Sequence, residues 1–239
     1  MATRAILTAK LLQARDLSDR TKHLEFEVPH LERFEFTAGQ FVSMKAEHEG
    51  REITRAYSIA SAPREDNTFD LCLNRVEFGF FSNYLCDLND GGEVRFHGPH
   101  GYFVLHQPVR DSIFIATGTG IAPIRGMLHW LFADPERHEG RQFHLVFGSR
   151  FTADIYYHAE FTELTRRFEN FHYLPTLSRA GQEWSGARGY VQQHVRPIAE
   201  GRSDMNAYIC GLKDMVVANR TQLLELGWDK KSVIFERFD

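Results

Sequence analysis

The chain has 239 residues, 43% hydrophobic and 25% charged, with a formal net charge of -4. That length suits two domains of roughly 100 to 130 residues with a core in each, and the mild acidic balance leaves no footprint for nucleic acid or an anionic membrane. No run approaches the ~20 apolar residues of a membrane span, and the three cysteines, Cys72, Cys86 and Cys210, form no Cys-x-x-Cys pair, which excludes a four-thiolate iron–sulfur cluster.

The amino-terminal hundred residues read as short strands. Apolar and polar residues alternate over His23–Val28 until Pro29 ends the run, and Gln40–Met44 follows a glycine. The next run, Ile53–Ser61, holds Arg55-Ala56-Tyr57-Ser58, a cation, a flat ring and a hydroxyl within four positions. Alternate residues of a strand share a face, so Arg55 and Tyr57 point the same way and Ser58 follows at the edge. A flavin dinucleotide asks for that set: a positive group for its pyrophosphate, a ring against its isoalloxazine and a donor near the nitrogen that receives hydride. An ordinary strand with one aromatic and one surface arginine contains the same residues.

Alternation returns over Phe69–Val76. Farther on, Gly79 permits a sharp turn, and Ser82 and Asn83 are good residues for starting a helix that runs through Leu85 and Leu88 and stops at Gly91-Gly92. The amino end of such a helix suits a phosphate, although these residues alone favour a capped helix with nothing bound. Glu93–Phe96 precedes Gly98-Pro99, and this punctuation predicts a small antiparallel barrel. His97-x-x-His100 has no cysteine or acid at ligand spacing, so no metal is expected there.

Beyond a junction at His106–Arg110, apolar strands alternate with helical segments. Strands are expected at about 112–116, 142–147, 171–177, 207–210 and 232–236, and helices near 123–133, 155–168, 189–198 and 213–226. Such alternation predicts a parallel sheet covered on both faces. The first strand runs into Thr117-Gly118-Thr119-Gly120-Ile121-Ala122-Pro123, whose glycines let the backbone approach a pyrophosphate at a helix start. Pro123 takes the place of the usual third glycine and fits a first helical turn, where its missing N–H costs nothing. Gly181 to Gly189 reads as a surface loop. Cys210 ends a strand at the carboxyl edge of the sheet, where ligands of open α/β sheets bind; a small buried core residue is the competing reading.

Six motifs stand in an order that resembles the ferredoxin–NADP reductase superfamily over nearly the whole chain. They are Arg55 to Ser58, Gly79 to Ser82, Gly98 to Phe103, Thr117 to Pro123, Tyr208 to Met215, and the tail Phe235 to Asp239. The resemblance implies a six-stranded antiparallel FAD-binding β-barrel over residues 1–106 and a five-stranded parallel α/β NAD(P)H domain over 111–239. It implies that Tyr57 stacks on the flavin with Ala56 beside it, that Ser58 bonds near the reacting nitrogen, and that Arg55 and Ser82, next to Phe81, hold the pyrophosphate. Leu73, Asn74 and Val76 would line the ribityl and adenosine parts.

The resemblance also implies that Thr117, Gly118, Thr119, Gly120 and Pro123 hold the nicotinamide nucleotide, with Cys210, Gly211 and Met215 beside its reactive ring. Glu236 and Phe238 reproduce an acidic residue two places before an aromatic that covers the flavin, but Asp239 follows and Phe replaces the usual Tyr. An edge strand with an exposed end is the plainer reading of that tail. Arg150 and the pair Ser178-Arg179 match places that hold a 2′-phosphate, so NADPH is favoured over NADH, although similar Ser-Arg pairs occur in relatives that use NADH.

The implied activity is hydride transfer from NAD(P)H to FAD, then electron delivery to a separate ferredoxin, flavodoxin or oxygenase component; the alternative is a reductase of free flavin. The segment Met1–Lys10 has no apolar stretch long enough for a signal peptide. A cytoplasmic monomer is expected.

Overall fold

The computed structural model describes residues 5–238; Asp239 and the first four residues of the segment read for a signal peptide lie outside them. One compact unit runs to Val104 and includes Arg125–Trp130, and the other takes Leu105–Ile124 and the chain from Leu131 onward.

The first unit is a six-stranded sheet of β1 (Leu7–Ser18), β2 (Thr21–Glu27), β3 (Phe41–His48), β4 (Arg51–Ser58), β5 (Thr68–Asn74) and β6 (Glu93–His100), in the order β4-β3-β6-β1-β2-β5. The sheet curls until its outer strands meet: Ile59 bridges Leu71, and the Ala60 N–H donates to the Asp70 carbonyl at 2.7 Å. Phe26, Phe34, Phe69 and Phe96 fill the interior, with ring centroids 5.1–5.6 Å apart. Burying four such rings is the main force that closes this small barrel. The segment after β4 is held by a buried ion group. Asp70 takes Arg64 at 2.8 Å and Arg125 at 3.2 Å, and Arg125 also donates to the Ala60 carbonyl at 2.8 Å.

The helix expected to start at Ser82 is α1 (Phe80–Cys86), capped by Gly79 and ended at Asp87. Gly91-Gly92 does not stop it. Those glycines bond to β1 instead, Gly91 N–H to Leu11 O at 2.7 Å and Leu11 N–H to Gly92 O at 2.9 Å. Gly98-Pro99, read as punctuation after Glu93–Phe96, lies within β6, which continues through His100.

The second unit is a parallel sheet of β7 (Ser112–Thr117), β8 (Phe143–Ser149), β9 (Phe171–Leu177), β10 (Ala187–Arg188), β11 (Asn206–Leu212) and β12 (Val233–Phe238), in the order β10-β9-β8-β7-β11-β12. The helices are α2 (Ile121–Phe132), whose residues Arg125–Trp130 belong to the first unit, and α3 (Pro135–His138), α4 (His158–Arg167), α5 (Val191–Ala199) and α6 (Lys213–Glu225). The sixth strand, absent from the expected five, is a two-residue pairing of Ala187 and Arg188 with Thr176 and Leu177. It lies inside the glycine-rich loop. Arg188 organises that loop by donating to the carbonyls of Ala180, Gly181 and Trp184 at 3.2, 2.9 and 2.7 Å. No helix among the described residues is long and apolar enough to cross a membrane.

Candidate functional site

On β4, Arg55 and Tyr57 share a face opposite Met44 and Val42, while Ala56 and the buried Ser58 stand opposite Ser43 and Phe41 on the other face. Tyr57 is half-buried against the barrel core, its ring centroid 6.0 Å from that of Phe81. Burial pushes its phenol well up, so the ring is a neutral platform. Arg55 is exposed. Its Nη1 donates to the Thr54 carbonyl at 2.9 Å, and no carboxylate pairs with it among the described residues. The cation is solvated, and what marks it is that no acid neutralises it among the described residues.

At the end of β5, Leu73 is buried and Asn74 is exposed, with its side-chain oxygen accepting the Thr21 hydroxyl. The chain then makes a tight loop. The Gly79 N–H donates to the Val76 carbonyl at 3.0 Å, and the Val76 N–H donates to the Ser82 hydroxyl at 3.0 Å. Ser82 in turn donates to the Gly79 carbonyl at 3.2 Å. Ser82 thus sits inside the first helical turn, and its hydroxyl is engaged in shaping the loop. Phe81 likewise points into the core. What the loop offers outward is backbone: the N–H groups of Phe80, Phe81 and Ser82 have no intrahelical acceptor.

In the second unit the carboxyl edge of the sheet gathers the remaining residues. Registers run Leu177↔Ser149, Gly148↔Thr117, Ala116↔Cys210 and Cys210↔Glu236 across β9, β8, β7, β11 and β12. Gly118–Gly120 form a single 3-10 turn, and Pro123 is the third residue of α2. Gly118 has φ +56°, and a Cβ on Gly120 would lie 2.5 Å from the Cys210 carbonyl carbon and 2.7 Å from the Gly211 Cα. A Cβ on Gly211, at φ +143°, would lie 2.9 Å from both the Thr117 carbonyl oxygen and the Met215 Cε. The Thr117 Oγ1 is buried with no hydrogen-bond partner. A cradle with no room for side chains and an orphaned hydroxyl fits a nucleotide phosphate approached by backbone.

Cys210 is fully buried, and burial together with the charge of Glu236 pushes its thiol well up, so it stays neutral. Glu236 and Phe238 are half-buried on β12, the outer strand of the sheet, with Phe238 in register with Leu212. At the other end, the Arg179 N–H donates to the Arg150 carbonyl at 3.0 Å and the Ser178 N–H to the Ser149 carbonyl at 3.0 Å. This brings two exposed guanidinium side chains to one corner, with no carboxylate paired to either among the described residues.

Two family models match the chain, "Oxidoreductase FAD-binding domain" over residues 8–105 and "Oxidoreductase NAD-binding domain" over residues 114–221. A curated relative, the "Ferredoxin--NADP reductase B" of Sorangium cellulosum (strain So ce56), is 41% identical over 239 residues, covering 97% of each chain. The chain belongs to the ferredoxin–NADP reductase family. It is a reductase flavoenzyme that uses FAD and NAD(P)H.

The phenol 2-monooxygenase reductase component of Pseudomonas sp. (strain CF600) is 33% identical, but there the match covers 93% of this chain and 63% of the relative. Among solved structures, the Amycolatopsis cytochrome P450 reductase has a TM-score of 0.87 at 26% identity, covering 100% of this chain and 72% of that one. A ferredoxin NADP+ reductase from Neisseria gonorrhoeae has a TM-score of 0.81 at 20% identity, covering 98% of each chain, a likeness of fold.

With the family in hand, one residue stands out that the sequence reading missed. Tyr190, 68% exposed, caps α5 next to Gly189, whose N–H donates to the Leu177 carbonyl at 2.9 Å. It therefore stands beside the strand end that leads to Ser178 and Arg179. The sequence offered only an aromatic placed directly after a glycine-rich loop; its exposure is a property of the fold.

Proposed function

We propose that the protein oxidises NADPH and delivers electrons singly to a separate protein acceptor, a ferredoxin, a flavodoxin or an oxygenase component. The observation that carries the donor is the corner formed by Arg150 and Arg179, where two unneutralised guanidinium groups suit a 2′-phosphate. Tyr190 offers a face for the adenine beside it. The acceptor class is supported by the printed names of the relatives, a ferredoxin reductase and the reductase component of an oxygenase.

When bound, FAD would supply the redox chemistry, a hydride acceptor that can pass electrons on singly. The chain's own residues position and shield. Arg55 and the amides after Gly79 hold the pyrophosphate, Tyr57 supports the ring, and Ser58 donates at its edge, with Leu73, Asn74 and Val76 along the ribityl and adenosine parts. Thr117 to Gly120 hold the nicotinamide nucleotide. Cys210, neutral and buried, shapes the floor of the nicotinamide pocket with Gly211 and Met215, and Glu236 and Phe238 belong to the same end of the sheet. The domain limits of 1–106 and 111–239, a cytoplasmic location and a monomeric state remain part of this proposal.

The purified protein is expected to be yellow and to hold about one FAD per chain; a colourless protein that reduces added flavin would establish the free-flavin alternative. Arg55→Ala should weaken FAD binding by removing a charge-assisted phosphate contact of about 1.5 kcal/mol, the low end for an exposed cation. Retention on desalting checks it, and a variant that keeps flavin as well as the parent removes Arg55 from the pyrophosphate site. Cys210→Ala should slow flavin reduction about 10- to 100-fold, or ~1.4–2.7 kcal/mol of barrier, with FAD content unchanged. An unchanged single-turnover rate would show that Cys210 only packs the sheet.

A further inference from the structure

The three residues that follow β4 are held more tightly than an ordinary strand exit requires. Ile59, Ala60 and Ser61 are all buried. The Ile59 N–H donates to the Gln40 carbonyl at 2.9 Å, and the Ala60 N–H donates to the Asp70 carbonyl at 2.7 Å. The Ser61 hydroxyl accepts the Asp70 N–H at 3.0 Å, and the Ala60 carbonyl accepts Arg125 Nη1 at 2.8 Å. Gly126 lets its helix close on the segment, since a Cβ there would lie 2.5 Å from the Ser61 carbonyl oxygen. All of these residues belong to the first unit. Arg125 is the unusual member. It is 8% exposed, and the Nη1 that reaches Ala60 also reaches the Asp70 carboxylate at 3.2 Å. Asp70, the single charged residue of β5, is buried in turn. A buried ion pair is a poor source of stability, because desolvating the charges offsets their attraction and apolar residues of similar size often do as well. What an apolar pair cannot do is hold a carbonyl in one direction. The carbonyl held here lies two residues past Ser58.

We infer that Arg125 is a positioning residue for the redox reaction: with Asp70 it locks the exit of β4 and so keeps the Ser58 hydroxyl aimed at the reactive edge of the flavin. This rests on the reading of Ser58 as the donor at that edge. In this role Arg125 acts through Ala60 and Ile59 and needs no contact with the cofactor. Arg64 supplies the control. It reaches the same Asp70 carboxylate at 2.8 Å, but its other partners are Thr68 and Glu25, outside the segment that follows β4. Removing it takes the same charge from the same carboxylate without releasing the Ala60 carbonyl.

The test is single-turnover flavin reduction by the preferred nicotinamide donor, read together with the visible circular dichroism of the bound oxidised flavin. The proteins are the parent, Ser58→Ala, Arg125→Met, Arg64→Met and the double variant Ser58→Ala/Arg125→Met, each loaded with FAD. Arg125→Met should slow reduction about 10-fold, less than the full cost of a 1 Å misplacement, because the rest of the grip remains. It should also alter the flavin dichroism, with FAD content and the Michaelis constant for the donor close to those of the parent. Arg64→Met should match the parent in rate and dichroism. On the Ser58→Ala background the Arg125 substitution should cost less than about twofold, since the group it positions is gone. If Arg125→Met fails to fold, Arg125→Lys, which keeps a donor for Ala60, reads the same coupling at about threefold.

The same loss from the Arg125 substitution with and without Ser58 would overturn the inference, because Arg125 would then act independently of that hydroxyl. An equal loss in Arg64→Met would overturn it too, by making the effect one of charge. So would a loss confined to the Michaelis constant, which would place the effect in the nucleotide loop that leads into α2. A parental rate in Ser58→Ala is a different result: it removes Ser58 from the flavin edge, and the role of Arg125 falls with it.

Discussion

Replacing Arg150 and Arg179 together with alanine is expected to raise the Michaelis constant for NADPH about 30- to 150-fold while that for NADH moves by threefold or less. The two donors differ by one phosphate, so a residue that recognises it must act on one and spare the other. A guanidinium–phosphate contact contributes about 1.5–3 kcal/mol when shielded. Both arginines are exposed, so about 1–1.5 kcal/mol each is the fitting share after screening. The backbone bond between Arg179 N–H and Arg150 O keeps the strand ends together in the variant, because alanine preserves it. Each single variant should lose roughly the square root of the double effect, and the discrimination should shrink as salt rises. Initial rates with both donors at matched ionic strength decide the matter. Equal losses for NADPH and NADH would place these arginines outside the 2′-phosphate site, and a parent that prefers NADH would reverse the assignment of the donor.

The main strands and helices of the parallel domain were legible to within a few residues, though not α3 or β10, and the barrel was less so, for a physical reason. A strand buried on both faces is a plain apolar block, as in Ile113-Phe114-Ile115-Ala116, and each such block is followed by a helix with its own period. The longest barrel strand, Leu7–Ser18, had no such signature. A register shift between Leu11 and Gln13 moves its side chains from one face to the other, so apolar and polar residues fall out of alternation and Leu12 ends up 39% exposed. The start of α1 was misplaced because Ser82 looks like a cap, whereas its hydroxyl reaches back to Val76 from within the helix. Arg55, Tyr57, Thr117 and Cys210 stood out as candidates because they fall in motifs whose order resembles the family's. Tyr190 did not, since an aromatic in a loop reveals its exposure only once the chain is folded.

Gly120→Ala is expected to lower kcat/KM about 100-fold with NADPH and NADH alike, and to leave FAD content unchanged. The two glycines of the nucleotide loop do different work. At Gly118 the backbone is left-handed at φ +56°, but an added Cβ meets nothing within 4 Å. An alanine there pays roughly 1–2 kcal/mol of local strain and disturbs no neighbour. At Gly120 the Cβ would press on the backbone of Cys210 and Gly211, 2.5 and 2.7 Å away, where no flexible side chain can yield. The loop must move off β11 by most of an ångström, and a misplacement of about 1 Å costs on the order of 100-fold in a positioned reaction. Overpacking should add about 1–3 kcal/mol of destabilisation. Because the shared pyrophosphate is displaced, both donors suffer, unlike the arginine variants. Gly118→Asn should be milder still, since asparagine tolerates the left-handed region. The measurement is steady-state kinetics with both donors alongside flavin content and thermal melting for the three variants. If Gly120→Ala turns over like Gly118→Ala, the close approach of this loop to Cys210 and Gly211 does not position the nucleotide.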